Sequence, residues 1–280
     1  MALIWGSSFL FTELSLRFLP FYGVAFWRTF LGGLAMFALV FLLKLQRPKG
    51  TQWFHLWVAG VLMSAIPFSL FSFAQQSTTS SLAAIIGAAT PMFTLLAILT
   101  IYRTEKVTLV ATLGLLIGLV GVAITLGVWE GFGNNDPLAI AALVLATISY
   151  GIGGPYIRKF VTPMNLSGTS TAAAQVFTSA LTLLPFYLFS GPLITASPSI
   201  ESLLSIIALG VLGSGFAYRL FHDVIKDAGS TVASTVTFTN PVVATIWGIL
   251  LLSEELHWYE PIGGLVVILG AWLAQHKATK

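Results

Sequence analysis

The feature that most constrains this chain is a succession of apolar runs, each about 17–25 residues long, separated by short gaps that hold nearly all of its charge. Runs of that length match the hydrocarbon thickness of a bilayer. Inside lipid every backbone N–H and C=O must be satisfied within the segment, so each run must be an α-helix. Only 8% of the residues are charged, against about 25% in soluble domains, which is too few to coat a soluble globule of 280 residues. Breaks at charges, prolines and small polar clusters place spans near residues 2–18, 22–43, 53–75, 79–101, 107–128, 137–157, 164–190, 201–222, 230–252 and 258–275. The expected fold class is therefore an all-α integral membrane protein with ten transmembrane helices. The break at Pro20 rests on one proline. The next rests on Gln75-Gln76-Ser77-Thr78-Thr79-Ser80-Ser81, a poor lipid-facing helix and a good hairpin.

The basic residues fix an orientation. With the N-terminus in the cytoplasm, the cytoplasmic gaps hold Lys44, Arg47 and Lys49, then Arg103 and Lys106, Arg158 and Lys159, Lys226, and at the end Lys277 and Lys280. The opposite gaps hold Arg17, and those at 129–136, 191–200 and 253–257 hold no Lys or Arg. This asymmetry follows the positive-inside rule with both termini cytoplasmic, as in a multi-pass protein of a bacterial-type inner membrane. The opening Met1-Ala2-Leu3-Ile4-Trp5 has no basic n-region, so the first run reads as a retained span. The net charge is +3, but the basic residues sit singly in gaps and build no face for nucleic acid. With no cysteine, disulfides, thiol catalysis and thiolate metal sites are excluded together.

The chain also repeats itself. Pro91 and Pro241 lie 150 residues apart, and at that offset Gly60, Val61, Leu62, Ser64, Leu70 and Phe71 meet Gly210, Val211, Leu212, Ser214, Leu220 and Phe221. Ser80, Ala83, Glu105, Gly114 and Leu115 likewise meet Ser230, Ala233, Glu255, Gly264 and Leu265. A membrane composition inflates chance Leu matches but not Pro, Glu and Gly matches in register. Two homologous halves are expected, 1–128 and 137–276. An odd number of spans per half inverts the second copy, and inverted five-helix repeats around a central cavity are a transporter architecture.

These residues resemble the drug/metabolite transporter superfamily, specifically its EamA family. The first half carries Trp5-Gly6-Ser7-Ser8-Phe9, Arg28, Ser80-Ser81-Leu82-Ala83-Ala84, Thr90-Pro91 and Glu105, with Gly114, Gly118 and Gly121 in its last span. The second carries Gly229-Ser230, Asn240-Pro241, Glu254-Glu255, Gly263, Gly264 and Gly270. Tyr150-Gly151 stands where the second half would repeat Trp-Gly, and Gln175 is the polar residue nearest to a counterpart of Arg28. The chain is similar to YddG-type amino-acid exporters. The resemblance implies a cavity between spans 1, 3, 4, 6, 8 and 9 and export of small metabolites, amino acids first among them.

Candidate cavity residues on those spans are Trp5, Ser8, Gln75, Thr90, Tyr150, Tyr218, Thr237 and Asn240. Their hydroxyls and amides can orient a solute and their aromatic faces can pack against it, or they can serve as interfacial belts and interhelical hydrogen bonds. Pro91 and Pro241 each remove a backbone hydrogen bond and kink a helix. Paired broken helices point to a gate or transport site, although a packing kink leaves the same trace. Glu13 and Arg28 lie inside apolar runs, where a charge costs at least about 2.5–3.5 kcal/mol on insertion scales. They pair as a salt bridge locking spans 1 and 2, or Glu13 couples protons and Arg28 meets a carboxylate. Arg17 stands one turn from Glu13. Arg219, His222, Asp223, Lys226 and Asp227 read as an interfacial anchor rather than a metal site, and Glu105 and Glu255 as structural acids after the kinked spans. Gly114 and Gly118 have GxxxG spacing, suited to a dimer face or to packing within one molecule.

The chain is thus expected to be a secondary transporter working by alternating access, a monomer or weak dimer in contact with membrane lipid. It carries no Walker A motif for ATP and no motif for a cofactor. Its rivals are a drug or other metabolite exporter of the same superfamily, a channel, and an intramembrane enzyme. The last would need a catalytic constellation, and none is visible.

Overall fold

The structure is a computed structural model that describes residues 1–103, 108–125, 129, 136–253 and 257–275. Glu105, Lys106, Glu254, Glu255, Lys277 and Lys280 fall outside the described residues. The helices follow the apolar runs: α1 Ala2–Leu16, α2 Phe21–Leu42, α3 Gln52–Ala74, α4 Ser80–Tyr102 and α5 Leu109–Thr125. They continue as α6 Pro137–Met164, α7 Gly168–Phe189, α8 Ile200–Ala228, α9 Ser230–Leu252 and α10 Tyr259–Gln275. Seven of them, α2–α4 and α6–α9, are long and apolar enough to cross a membrane by length and composition. Their outward faces are apolar, with Leu42, Phe54, Leu145, Leu250 and Trp272 exposed.

Helix starts are set by local chemistry. Thr79, Asp136, Ser167 and Ser199 each accept a hydrogen bond from a backbone N–H in the first turn of α4, α6, α7 and α8, satisfying donors that lipid leaves unpaired. Pro20 caps α2, and Gly229, at φ +92°, turns α8 into α9. The helix α8 runs six residues beyond the expected end at 222, so Arg219 to Asp227 form its last turns.

Both prolines interrupt their helices. In α4 regular helix stops at Gly87 and resumes at Thr90, with Pro91 in the new first turn. Pro91 has no N–H for the Gly87 carbonyl, and the Thr90 hydroxyl donates to that oxygen instead at 2.6 Å. In α9 the segment Thr235–Thr239 tightens to a 3₁₀ turn before Asn240, and the Asn240 N–H takes up the Thr237 carbonyl. Four segments widen to π-helix, Val61–Ala65, Ile98–Tyr102, Ile157–Val161 and Leu209–Phe216, none of them expected.

Helix α2 lies along α7, α5 along α10, and α1 along α9, while α3 and α4 flank α6. Helices in lipid gain little from the hydrophobic effect, so small residues that permit close approach carry the packing. A Cβ on Gly32 would come within 2.6 Å of the Gly210 carbonyl oxygen, joining α2 to α8. The GxxxG glycines Gly114 and Gly118 face Gly270 of the same molecule, where a Cβ would meet the Gly114 oxygen at 2.7 Å. That motif therefore serves the α5–α10 contact inside one chain. At the core of α2 and α7, Phe26 stacks on Tyr187 with centroids 4.8 Å apart, and the Trp27 indole donates to the Tyr187 hydroxyl at 3.0 Å.

Candidate functional site

One cavity opens where α1, α2, α3, α4, α6, α8 and α9 converge, enclosing about 760 Å³ free of protein atoms, its mouth included. Its lining includes Trp5 and Ser8 from α1, Gln75 just past the end of α3, Thr90 from α4, Tyr150 from α6, Tyr218 from α8, and Thr237 and Asn240 from α9. Pro91 and Pro241 are buried next to two of them.

Several of these side chains are held by the fold. The Trp5 indole donates to the Gly213 carbonyl at 2.9 Å, within the wide segment of α8, and its ring stands 5.5 Å from Tyr218 and 5.3 Å from Phe221. The Tyr218 hydroxyl donates to the Met63 carbonyl within the wide segment of α3. Gln75 donates to the Phe9 carbonyl at 3.0 Å and to the Ser80 hydroxyl at 3.2 Å, tying α1, α3 and α4 together. Thr237 donates to the Ser234 carbonyl at 2.8 Å. Among the described residues, Asn240 Oδ1 is buried with no hydrogen-bond partner, and the Thr94 hydroxyl, also on the cavity wall, is in the same condition.

Arg28 and Glu13 are treated differently. Arg28 is 5% exposed and lines the cavity. Its Nε donates to the Ser214 hydroxyl at 3.1 Å, and its guanidinium lies 3.5 Å from the centre of the Phe68 ring. Glu13 is half-buried on α1 and is not among the lining residues. Thr12 is the α1 residue that faces inward at that level.

Phe9, Thr12, Met63, Phe68, Phe71, Thr94, Phe221 and Ser234 also line the cavity and were not expected. Helical spacing holds the signal for several: Thr12 is four residues from Ser8, Thr94 four from Thr90, and Ser234 three from Thr237, each on the same helix face.

His222 departs from the expectation of an interfacial anchor. It is 6% exposed, and its Nε2 lies 2.8 Å from Gln175 Oε1, while Gln175 Nε2 reaches the Ser64 hydroxyl at 3.4 Å. The side chain points into the bundle because the long α8 carries it one turn past Tyr218 on the same face. Beside it Asp223 and Lys226 line a smaller recess with Thr162 and Thr171.

The EamA-like transporter family model matches residues 1–127 and again 137–274. A protein of Archaeoglobus fulgidus, described as an uncharacterized transporter, is 26% identical over 98% of this chain and 94% of its own. The Escherichia coli protein YedA, described as an uncharacterized inner membrane transporter, is 25% identical over 97% of this chain and 87% of its own. Protein PecM of Dickeya dadantii is 22% identical over 81% of this chain. A solved crystal structure shares the fold at a TM-score of 0.74 with 17% identity, covering 98% of this chain and 93% of that one. Matched by one family model along both stretches of its length, the chain belongs to the EamA-like transporter family and is a multi-pass membrane transporter.

Proposed function

We propose that the protein exports small metabolites, amino acids first among them, across the inner membrane by alternating access. In this proposal the chain crosses the bilayer ten times as two inverted five-helix repeats, 1–128 and 137–276, with both termini cytoplasmic, in the manner of YddG-type exporters. The observation that carries it is a cavity lined by hydroxyl, amide and aromatic groups from helices of both halves. Two further features support it. Helix α2 packs on α7 and α5 on α10, each against the element five places later, as a two-fold between halves requires. The broken helices α4 and α9 bring Thr90 and Asn240 to the cavity beside their prolines, the arrangement in which discontinuous helices form transport sites.

Trp5, Ser8, Gln75, Thr90, Tyr150, Tyr218, Thr237 and Asn240 are the substrate-contacting residues of this reading, and Pro91 and Pro241 allow α4 and α9 to rock. The test is counterflow of each amino acid in proteoliposomes. Saturable exchange is expected for at least one, and its absence for all of them sinks the amino-acid reading. Coupling is tested separately with Glu13→Gln: if Glu13 carries the proton, uptake loses its dependence on external pH, and an unchanged pH profile removes it from that role.

A further inference from the structure

A chain of buried polar side chains crosses the bundle. It starts at His222, 6% exposed, whose Nε2 lies 2.8 Å from Gln175 Oε1. Gln175 is fully buried and reaches the Ser64 hydroxyl at 3.4 Å. Ser64, buried as well, lies within hydrogen-bonding reach of the Tyr218 hydroxyl, and Tyr218 within reach of that of Tyr150. Tyr218 and Tyr150 stand on the cavity wall, whereas His222 lines the separate recess between α6, α7 and α8, about 270 Å³ free of protein atoms with its mouth included. The two hollows are therefore joined by hydrogen bonds that run through α7 and α3.

His222 is the titratable end of this chain. Asp223 and Lys226 of the same helix share its recess. From α6, Arg158 donates to the Ile225 and Lys226 carbonyls at 2.8 and 2.7 Å, and Lys159 lies over the rings of Tyr102 and Phe160. Arg219 lies 5.7 Å from the Phe216 ring, Arg28 is bonded to Ser214 two turns earlier on α8, and His55 of α3 is bonded to the Tyr156 hydroxyl. Helices α7 and α9, which pack on α8, carry no charged residue. The ring is thus buried with no anion bonded to either nitrogen among the described residues, and Nδ1 has no hydrogen bond among them. The Gln175 amide can present either end. A neutral ring accepts both arrangements: Nε2–H donating to the amide oxygen, or bare Nε2 accepting from the amide nitrogen while the oxygen turns to the Ser64 hydroxyl. An imidazolium donates from both nitrogens and accepts only the first. The amide nitrogen then donates to Ser64, and the Ser64 hydrogen passes to the Tyr218 oxygen, which is filled from within the protein rather than by a donor in the cavity.

We infer that His222 is a proton site linked to solute binding in the cavity. It takes a proton on Nδ1 from water in the recess, with Asp223 as the carboxylate beside it, and through Gln175 and Ser64 it closes the Tyr218 oxygen to a solute. Proton and solute then weaken one another's binding by the same factor, which is what exchange of solute for proton requires. The inference rests on the cavity being the transport site.

For the test, the full-length chain is reconstituted into vesicles that hold a pH-sensitive dye and an equimolar mixture of neutral amino acids. The membrane voltage is clamped with potassium and valinomycin, and the vesicles are diluted into amino-acid-free buffer of the same pH. Solute leaving should acidify the lumen. His222→Gln keeps a hydrogen-bonding end for Gln175 and loses the titratable nitrogen. It should cut proton movement per solute by about tenfold or more and retain counterflow, whereas a merely structural role would lower both together. Ser64→Ala, which cuts the chain by one oxygen, should do the same, and it decides if His222→Gln fails to fold. The proposal is overturned if solute leaves the parent vesicles with no change of lumen pH, if His222→Gln acidifies as the parent does, or if counterflow falls in step with coupling. If no amino acid leaves the parent vesicles, the amino-acid reading fails on its own, and the ring signal of His222 in histidine-labelled protein decides the proton site. Assigned by its loss in His222→Gln, that signal should titrate, and a ring that stays neutral over the whole pH range in which the protein is folded overturns the site.

Discussion

Replacing Gly270 by alanine tests whether the glycine contact between α5 and α10 is a fixed part of a single molecule. A Cβ at position 270 would stand 2.4 Å from the Gly118 nitrogen and 2.7 Å from both the Gly114 oxygen and the Gly118 Cα. Ordinary non-bonded contacts lie near 3.5 Å or beyond, so the helices must part by about 1 Å. The clashing atoms are backbone and cannot rotate away. A gap of that size forfeits about a quarter to a half of the dispersion attraction across the seam, and overpacking of this kind costs roughly 1–3 kcal/mol. Gly264 on the same helix is the control, because a Cβ there meets nothing within 4 Å. Alanine at 264 should be neutral or, through helix propensity, stabilising by about 0.5–1 kcal/mol. The assay is reversible unfolding in detergent followed by tryptophan fluorescence at two protein concentrations. Gly270→Ala should lower the midpoint equally at both, and Gly264→Ala should not lower it. Equal behaviour of the two variants refutes the packing account, and a loss that grows on dilution moves the contact to a dimer.

Three further outcomes are expected. Gln75→Leu removes the donor to the Phe9 carbonyl and should destabilise the detergent-solubilised protein by about 1–3 kcal/mol in the same unfolding assay; a smaller loss would mean that this tie between α1 and α3 is dispensable. In a double-mutant cycle, Gln175→Leu and His222→Phe should be non-additive by about 0.5–3 kcal/mol, since each leaves the other's buried group unpaired, and additivity would deny the 2.8 Å contact. The chain has no cysteine, so single cysteines report topology directly: Arg47→Cys should react with an impermeant maleimide only from the cytoplasmic side and Ser197→Cys only from the opposite side, and the reverse pattern would invert the orientation read from the basic residues.

Much of the helical layout was legible because lipid makes one demand of every segment: a long apolar run must become a helix, and charges and caps must fall at its ends. Pro137 after Asp136 and Pro20 before Phe21 are starts of that kind. The eight side chains proposed for the cavity could be named because the resemblance supplied the helices to search, and hydroxyls, amides and amphipathic aromatics stand out on them. The wide turns of α3 and α8 were not, since a π segment depends on one extra residue accommodated by neighbouring helices and Val61–Ala65 contains nothing that breaks a helix. Nor was the inward course of His222, which depends on how far α8 continues: a helix ending at 222 leaves the ring at the rim, and one ending at Ala228 carries it into contact with Gln175. Periodicity within one helix can nominate Arg28 as a charge in lipid, but only the packing of α2 on α8 decides that its Nε meets Ser214 rather than an acid.

The irregular turns and the cavity belong to one design. A regular helix spends its backbone groups on itself and offers a ligand only side chains. Where α8 widens at Leu209–Phe216, the Gly213 carbonyl is reached by the Trp5 indole and Ser214 by Arg28. Where α3 widens at Val61–Ala65, the Met63 carbonyl accepts from Tyr218. Where Pro91 interrupts α4, the Gly87 carbonyl accepts from Thr90. In each case a carbonyl or hydroxyl at an irregular turn holds one of the cavity's own side chains, so α3, α4 and α8, which line the site, are also helices whose hydrogen bonding is broken. Such interruptions within helices are frequent at hinges and functional sites.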